Sequence, residues 1–329
     1  MSDMMGGFFE WAFGREYNNF PYREGENCAL LNSGRAALAC LLDNTPRPKR
    51  IFLPRFACDT LEEPCRLIGC PIIRYECSPD LSPILPGDIN PEDIVILINY
   101  FGLTGHRVEE AARQCRATVI VDATTALYAP PIPGVATFYS PRKFAPIPDG
   151  GIAIAPHALP HRPQQMDSSA DRALYLLRRA EDGALAARQA CDTAEAQLRH
   201  HYRAMSPLTR RMIQGIDFDA AAQRRLENYA ILHQALAPLN RLSLPEQPEC
   251  APMCYPFVSG IPGLRDDLID AGIALPLYWP EVIEKTPAHS LENQLARTLL
   301  PLPLDQRYGR ADMQRLLHLI LGTPPCHRD

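Results

Sequence analysis

Asp122 and Lys143 are the residues whose types and placing best suit chemistry. An apolar run, Thr118 to Val121, reads as a strand buried on both faces, and it ends in Asp122. That delivers a carboxylate to the C-terminal tip of a strand, the edge where ligands collect in open α/β sheets. Lys143 follows in SPRKF, ahead of the turn-rich PIPDGG and a second apolar run, Ile152 to Ala155. It is one of three lysines, with Lys49 and Lys285, among 33 basic residues. A desolvated amine can lose its proton and attack a carbonyl, which a guanidinium cannot do. The pair therefore suits pyridoxal 5'-phosphate (PLP), with the lysine as Schiff-base residue and the aspartate keeping the pyridine nitrogen protonated. The commoner fate of such residues, a strand-end aspartate capping a turn and a solvated lysine, also accounts for the two taken alone.

A second feature bears on an anion. In CALLNSGRAALACLL, Asn32-Ser33-Gly34 precedes a run of Ala and Leu, and Ser33 is a reasonable N-cap. A helix starting there would aim free N–H groups and its positive dipole end at a phosphate, with Ser33, Gly34 and Arg35 at its start. A plain capped helix fits the same residues. Phe56 and Cys58 fall at the turn between a strand, Ile51 to Leu53, and a helix, Thr60 to Ile68. An aromatic there could stack on a flat ring, although a lone Phe is more often core.

The elements that would position these groups alternate strand and helix. After Ile51 to Leu53 come a strand at Pro71 to Tyr75, another in DIVILINYFGLTG ending at Asn99-Tyr100, and a helix from Val108 to Cys115 leading into the Thr118 strand. That rhythm argues for a parallel sheet covered by helices. From Asp167 to about Ala237 the pattern is helical, broken at Ser206-Pro207; His200 and His201 within it are expected to face solvent. From Arg241 onward short strands, APMCYPFVSG and GIALPLYW among them, alternate with helices. The expected organisation is a large α/β domain over residues 1–237 and a smaller α+β domain over 238–329. The aromatic residues of 1–25 are expected to pack across a domain or subunit surface.

Composition narrows the classes. The chain has 329 residues, 46% hydrophobic and 22% charged, with a formal charge of −5. This is ordinary for a globular protein and carries no electrostatic footprint for nucleic acid or an anionic membrane. No apolar run is long enough to span a bilayer, and the start lacks a basic region ahead of an apolar core, so neither a membrane span nor a signal peptide is expected. Eleven scattered cysteines, an odd number, read as small hydrophobes of a reduced cytoplasmic protein. None has zinc-like spacing, and no metal is expected.

Taken in order, these segments resemble the PLP-dependent nucleotide-sugar aminotransferases of the DegT/DnrJ/EryC1/StrS family, over most of the chain. NSGRAAL is similar to that family's Ser-Gly-Thr-x-Ala-Leu phosphate helix. VDATTA is similar to its Glu-Asp-Ala-Ala-Gln-Ala, with Asp122 on the pyridine-binding aspartate. SPRKFAPIPDGG is similar to its Pro-x-Lys…Gly-Asp-Gly-Gly, with Lys143 on the Schiff-base lysine. AGIALPLYWP is similar to its Gly-Ile-x-x-x-x-His-Tyr-Pro, and LARTLLPLPLDQRYGRADMQRLLHLI to its tail. The resemblance implies fold type I: a large domain with a mostly parallel central sheet plus a smaller C-terminal α+β domain. It implies a cytoplasmic homodimer that binds PLP and moves an amino group, with glutamate as donor and a keto-sugar nucleotide as the candidate acceptor. It places Ser140 with Ser33, Gly34 and Arg35 on the phosphate and Phe56, or Cys58, on the ring. Asn99, Tyr100 and Tyr278 stand as candidate substrate residues. The chain departs from the pattern at Thr125, a candidate cofactor-binding residue where the family has Gln, and at Tyr278, where it has His. MSPLTRRM replaces the Tyr-Asn-x-Arg-Met segment that reaches the neighbouring subunit's cofactor. Those departures leave two alternatives: PLP chemistry other than transamination, such as dehydration, or a non-catalytic binding or regulatory protein.

Overall fold

The structure is a computed structural model that describes residues 13–198 and 202–322; His200, His201 and residues 1–12 lie outside the described residues. Eight strands make the main sheet: β1 (Cys28–Leu31), β2 (Ile51–Pro54), β3 (Ile72–Cys77), β4 (Pro83–Ile84), β5 (Ile94–Ile98), β6 (Thr118–Asp122), β7 (Ala136–Tyr139) and β8 (Gly151–Ile154). Their spatial order is β1-β8-β7-β6-β5-β2-β3-β4. The five strands from β7 to β3 run parallel, while β8 and β4 are antiparallel to their neighbours.

Alternation of side chains explains why the middle strands read as unbroken apolar runs. In β5, Ile94, Ile96 and Ile98 enter one core and Val95 and Leu97 the other. In β6, Ile120 enters the first core and Val119 and Val121 the second. A strand covered on both faces has no polar side to show. On the first face lies α1 (Gly34–Asp43), in contact with β7, β8 and α2 (Glu62–Ile68). The helix α3 (Gly105–Gln114) starts three residues before its expected position.

The helical stretch resolves into α4 (Leu174–Leu198), α5 (Pro207–Gln214) and α6 (Phe218–Leu236). Gly183 interrupts α4 at φ 86°, ψ −177°. Ser206 caps α5 by accepting from the Thr209 N–H, with Pro207 at the first helical position, which accounts for the expected break. Beyond it, β9 (Tyr255–Val258) and β10 (Leu299–Leu302) form an antiparallel pair. Around them are α7 (Leu264–Asp270), α8 (Pro280–Lys285), α9 (Leu291–Thr298) and α10 (Arg310–Leu321). The helix α6 packs against β9 and α10. GIALPLYW, expected as a strand, is irregular: Pro276 cannot donate to a ladder and Trp279 is left-handed. The described part of the N-terminal segment packs on its own chain, Phe20 against Phe218 and Tyr22 against Tyr139. Among the described residues no helix is long and apolar enough to cross a membrane, and the cysteines are free.

Candidate active site

Register brings Ile98, Asp122 and Phe138 side by side at the carboxyl ends of β5, β6 and β7. They form one wall of a cavity of about 450 Å³. Over that wall stands the N-terminus of α1. Ser33 is its cap, with extended backbone and an Oγ that accepts from the Ala36 N–H at 3.1 Å. Ser33, Gly34, Arg35, Ser140 and Lys143 all line the cavity. A Cβ on Gly34 would stand 3.2 Å from Thr124 Cγ2 and 3.5 Å from Ser140 Cβ, so the helix start is cradled without slack.

The DGG of PIPDGG supports this turn from behind. The Gly150 N–H donates to the Asn32 carbonyl at 2.7 Å, with φ at +144°. A Cβ on Gly151 would fall 1.9 Å from the Ser33 carbonyl oxygen, an approach that glycine alone permits. Asp149, fully buried, accepts from the Ser206 N–H at 3.0 Å, from the Ser206 hydroxyl at 3.1 Å and from the Thr209 hydroxyl. Burial pushes its carboxyl above the usual range, and these bonds oppose the push.

Lys143 ends a short 3-10 turn, Pro141–Lys143, and is exposed towards the cavity it lines. Its Nζ donates to Thr124 Oγ1 at 3.0 Å. Lys49 and Lys285 each meet a carboxylate, Glu92 and Asp59, at 2.5 Å. Lys143 meets none among the described residues. Asp122 is buried, and Oδ1 accepts from the Thr124 N–H at 2.8 Å. Burial raises its carboxyl above the ordinary aspartate value, with the charge of Lys143 and the Thr124 bonds pulling the other way. The acid and the amine form no direct ion pair; Thr124 stands between them, N–H on one and hydroxyl on the other.

Tyr278 and Trp279 close the opposite side and also border a second cavity of about 620 Å³, as do Lys143 and Thr125. Trp279 (φ 57°) and Phe101 (φ 59°) are both left-handed and stack on each other, centroids 6.4 Å apart and planes 12° apart. The Thr125 hydroxyl accepts from the Phe101 N–H at 3.1 Å and donates to the Asn99 carbonyl at 3.0 Å, so it is committed to the backbone.

Three expectations need correction. Phe56 does not border either cavity: it is fully buried, edge-on to Trp279 at 4.6 Å, because the aromatic cluster behind the site absorbs it. Tyr100 is buried in the same cluster, its hydroxyl donating to the Phe56 carbonyl at 2.7 Å. Asn99 holds the turn after β5, accepting from the Thr104 N–H at 3.2 Å, and borders a separate pocket of about 130 Å³. Cys58 does line the first cavity; its Sγ accepts from the Thr60 hydroxyl at 3.1 Å, and burial raises the thiol.

Sequence reasoning passed over three residues of the site. Thr124 was legible as the polar neighbour of Asp122, and Trp279 as one of two tryptophans in the chain. Arg225, on the wall of the second cavity, gave no signal among so many arginines. Among the described residues no cluster of three or more His, Cys, Asp or Glu side chains could hold a metal.

The arrangement fits PLP. A buried carboxylate partnered by Thr124 alone, an amine held apart from it, and a helix start in a tight cradle are the three attachments the cofactor requires. No family model and no curated protein matches the chain. Solved structures are similar in shape. The sugar aminotransferase CalS13 from Micromonospora echinospora is 18% identical, with 90% of this chain and 87% of that one covered, at a TM-score of 0.63. A DegT DnrJ EryC1 StrS aminotransferase from Brucella abortus is 18% identical, with 90% and 85% covered, at 0.61. Helicobacter pylori PseC, an aminotransferase involved in the biosynthesis of pseudoaminic acid, is 14% identical, with 90% and 86% covered, at 0.62. At these identities the likeness establishes the fold, which is the fold type I expected from the sequence.

Proposed function

We propose that the protein is a PLP-dependent aminotransferase that takes an amino group from an amino acid, with L-glutamate as donor, and delivers it to a keto acceptor. The observation that carries this is Asp122 and Lys143 on one cavity wall, joined through Thr124 yet held apart. When bound, PLP supplies an aldehyde for an amine and a protonated ring that draws electrons from the neighbouring carbon. Lys143 would hold the cofactor through its Nζ, and its amine would take and return a proton at the carbon that exchanges the amino group. Asp122 keeps the ring nitrogen protonated, which also offsets the cost of its own burial. Ser33, Gly34, Arg35 and Ser140 hold the phosphate, Cys58 and Trp279 border the ring, and Tyr278 bounds the substrate side.

A keto-sugar nucleotide is the acceptor class we favour, on the shape shared with sugar aminotransferases. A cytoplasmic homodimer belongs to the same proposal: the free thiols suit a reducing compartment, and α4 exposes Leu174, Leu177 and Leu185, a surface a second copy would cover. The division into units 1–237 and 238–329 is part of it too, with α6 lying against the second unit. Visible absorbance tests the function. Protein loaded with PLP should show a band that L-glutamate bleaches; failure to take up PLP rejects every PLP reading, and uptake without bleaching rejects transamination from glutamate.

A further inference from the structure

Arg225, in α6, is 2% exposed. Its Nε donates to Gln306 Oε1 at 3.0 Å, and its Nη1 to the Pro252 and Met253 carbonyls at 3.1 and 3.0 Å. All three acceptors are neutral. Asp305, an acidic group whose charge acts on Arg225, is gripped by Arg307 through two bonds of 2.7 Å. Among the described residues no carboxylate pairs with Arg225, and its Nη2 makes no hydrogen bond. A charge withdrawn from water without a counter-ion is costly and is resolved by an anion arriving from elsewhere. The side chain lines the 620 Å³ cavity that Lys143 also borders. Two contacts fix it relative to Lys143. Its guanidinium lies 4.9 Å over the ring of Phe144, the next residue, and Gln306, while accepting from Arg225, donates to the Phe144 carbonyl at 2.8 Å.

We infer that Arg225 is the carboxylate anchor for the amino-acid or keto-acid partner of the reaction, and that the second cavity is that partner's binding subsite. The inference rests on the proposed function. Amino and keto acids carry their carboxylate one bond from the carbon that exchanges the amino group, so the anion must bind within reach of Lys143. Alongside the charged Arg179, Asp305, Arg307, Asp312 and Arg315, the wall offers apolar Met253, Ile273 and Leu316 and the flat Tyr278 and Trp279 to the body of such a molecule. With Nε and Nη1 held by neutral acceptors, Nη2 is the nitrogen left to meet a single carboxylate oxygen through a charge-assisted bond.

Calorimetric titration with glutarate tests this on the protein with and without PLP. Arg225→Gln keeps a planar donor towards the carbonyls and removes the charge. It should weaken glutarate binding roughly ten- to 150-fold, the range for loss of a charged hydrogen bond. Arg225→Lys should recover part of that loss. Inorganic phosphate, which we assign to the start of α1, should bind both variants as it binds the wild type. Should Arg225→Gln not fold, mass-spectrometric mapping of phenylglyoxal modification decides, because glutarate should shield Arg225 in the wild-type protein. Glutarate affinity indifferent to Arg225→Gln, or absence of shielding, overturns the inference. PLP uptake with that indifference leaves the proposed function standing; Arg225-dependent glutarate binding in a protein that takes up no PLP keeps the subsite and sinks the function.

Discussion

Replacing Asp122 by Asn should stabilise the ligand-free protein while crippling its hold on the cofactor. The carboxylate is buried and rests on Thr124 alone. A buried polar group left short of partners costs about 1–3 kcal/mol, and the bordering cavity admits water, which favours the lower end. Asn retains the acceptor for the Thr124 N–H and discards the charge. At pH 7 Asp122→Asn should therefore gain about 1 kcal/mol, or roughly 1–2 °C in a chain of this length. The gain has a pH signature. A folded carboxyl raised above its unfolded value binds more protons than the unfolded chain between the two values, so wild-type stability falls as pH rises through that window. The window opens near 3.8, the ordinary aspartate value, and extends upward. The variant lacks this dependence, so its advantage should be full at pH 7 and shrink towards pH 4. Scanning calorimetry at the two pH values measures it. With PLP added the order should reverse, cofactor affinity falling about ten- to 150-fold for want of a charged partner at the ring nitrogen. A variant less stable than wild type without PLP, or an advantage that widens towards acid, would refute the account of Asp122 as a carboxylate awaiting a counter-charge.

Lys143→Met should melt within about 0.5 kcal/mol of wild type, because the side chain is exposed and bonded only to a neutral hydroxyl. Once unbound PLP is removed it should retain no aldehyde-derived visible band, and a wild-type spectrum would remove Lys143 from the reaction. Gly151→Ala should cost at least about 3 kcal/mol in chemical denaturation, since its methyl would fall 1.9 Å from the Ser33 carbonyl oxygen; wild-type stability would mean the turn yields easily. Lys285→Met breaks a half-exposed pair with Asp59 and should change stability by less than about 1 kcal/mol. The same pair, with the Asp59 N–H donating to Glu281 at 2.7 Å, holds α8 over the β2–α2 connection. PLP should therefore leave Lys285→Met several-fold faster, and an unchanged release rate, followed by loss of absorbance, would show α8 plays no part in retention.

What the sequence disclosed follows from how each segment is buried. β5 and β6 declared themselves because both faces are covered, leaving an apolar run with an acid or amide at its end. β1 (CALL) and β7 (ATFY) escaped notice. The first runs straight into the helix formers of α1, and the second is four residues of mixed character that become a strand through its neighbours β6 and β8. At the site, Ser33, Gly34, Asp122 and Lys143 were legible because a cap, a strand tip and a rare amine each have a local cause. Phe56 misled because one aromatic beside a strand end satisfies either the cavity or the core, and only the position of Trp279 decides. Arg225 was invisible because its isolation from carboxylates is a fact of three dimensions.

The facing rings of Phe101 and Trp279 carry a consequence for how defects in this site would combine. Each ring hangs from a backbone twist that L-residues avoid, at about 1–2 kcal/mol apiece. Neither contortion is self-supporting. Removing one aromatic frees the other's segment to relax, so a second substitution has less left to damage. The two should behave as one keystone cut in halves, their combined loss falling short of the sum of the single losses.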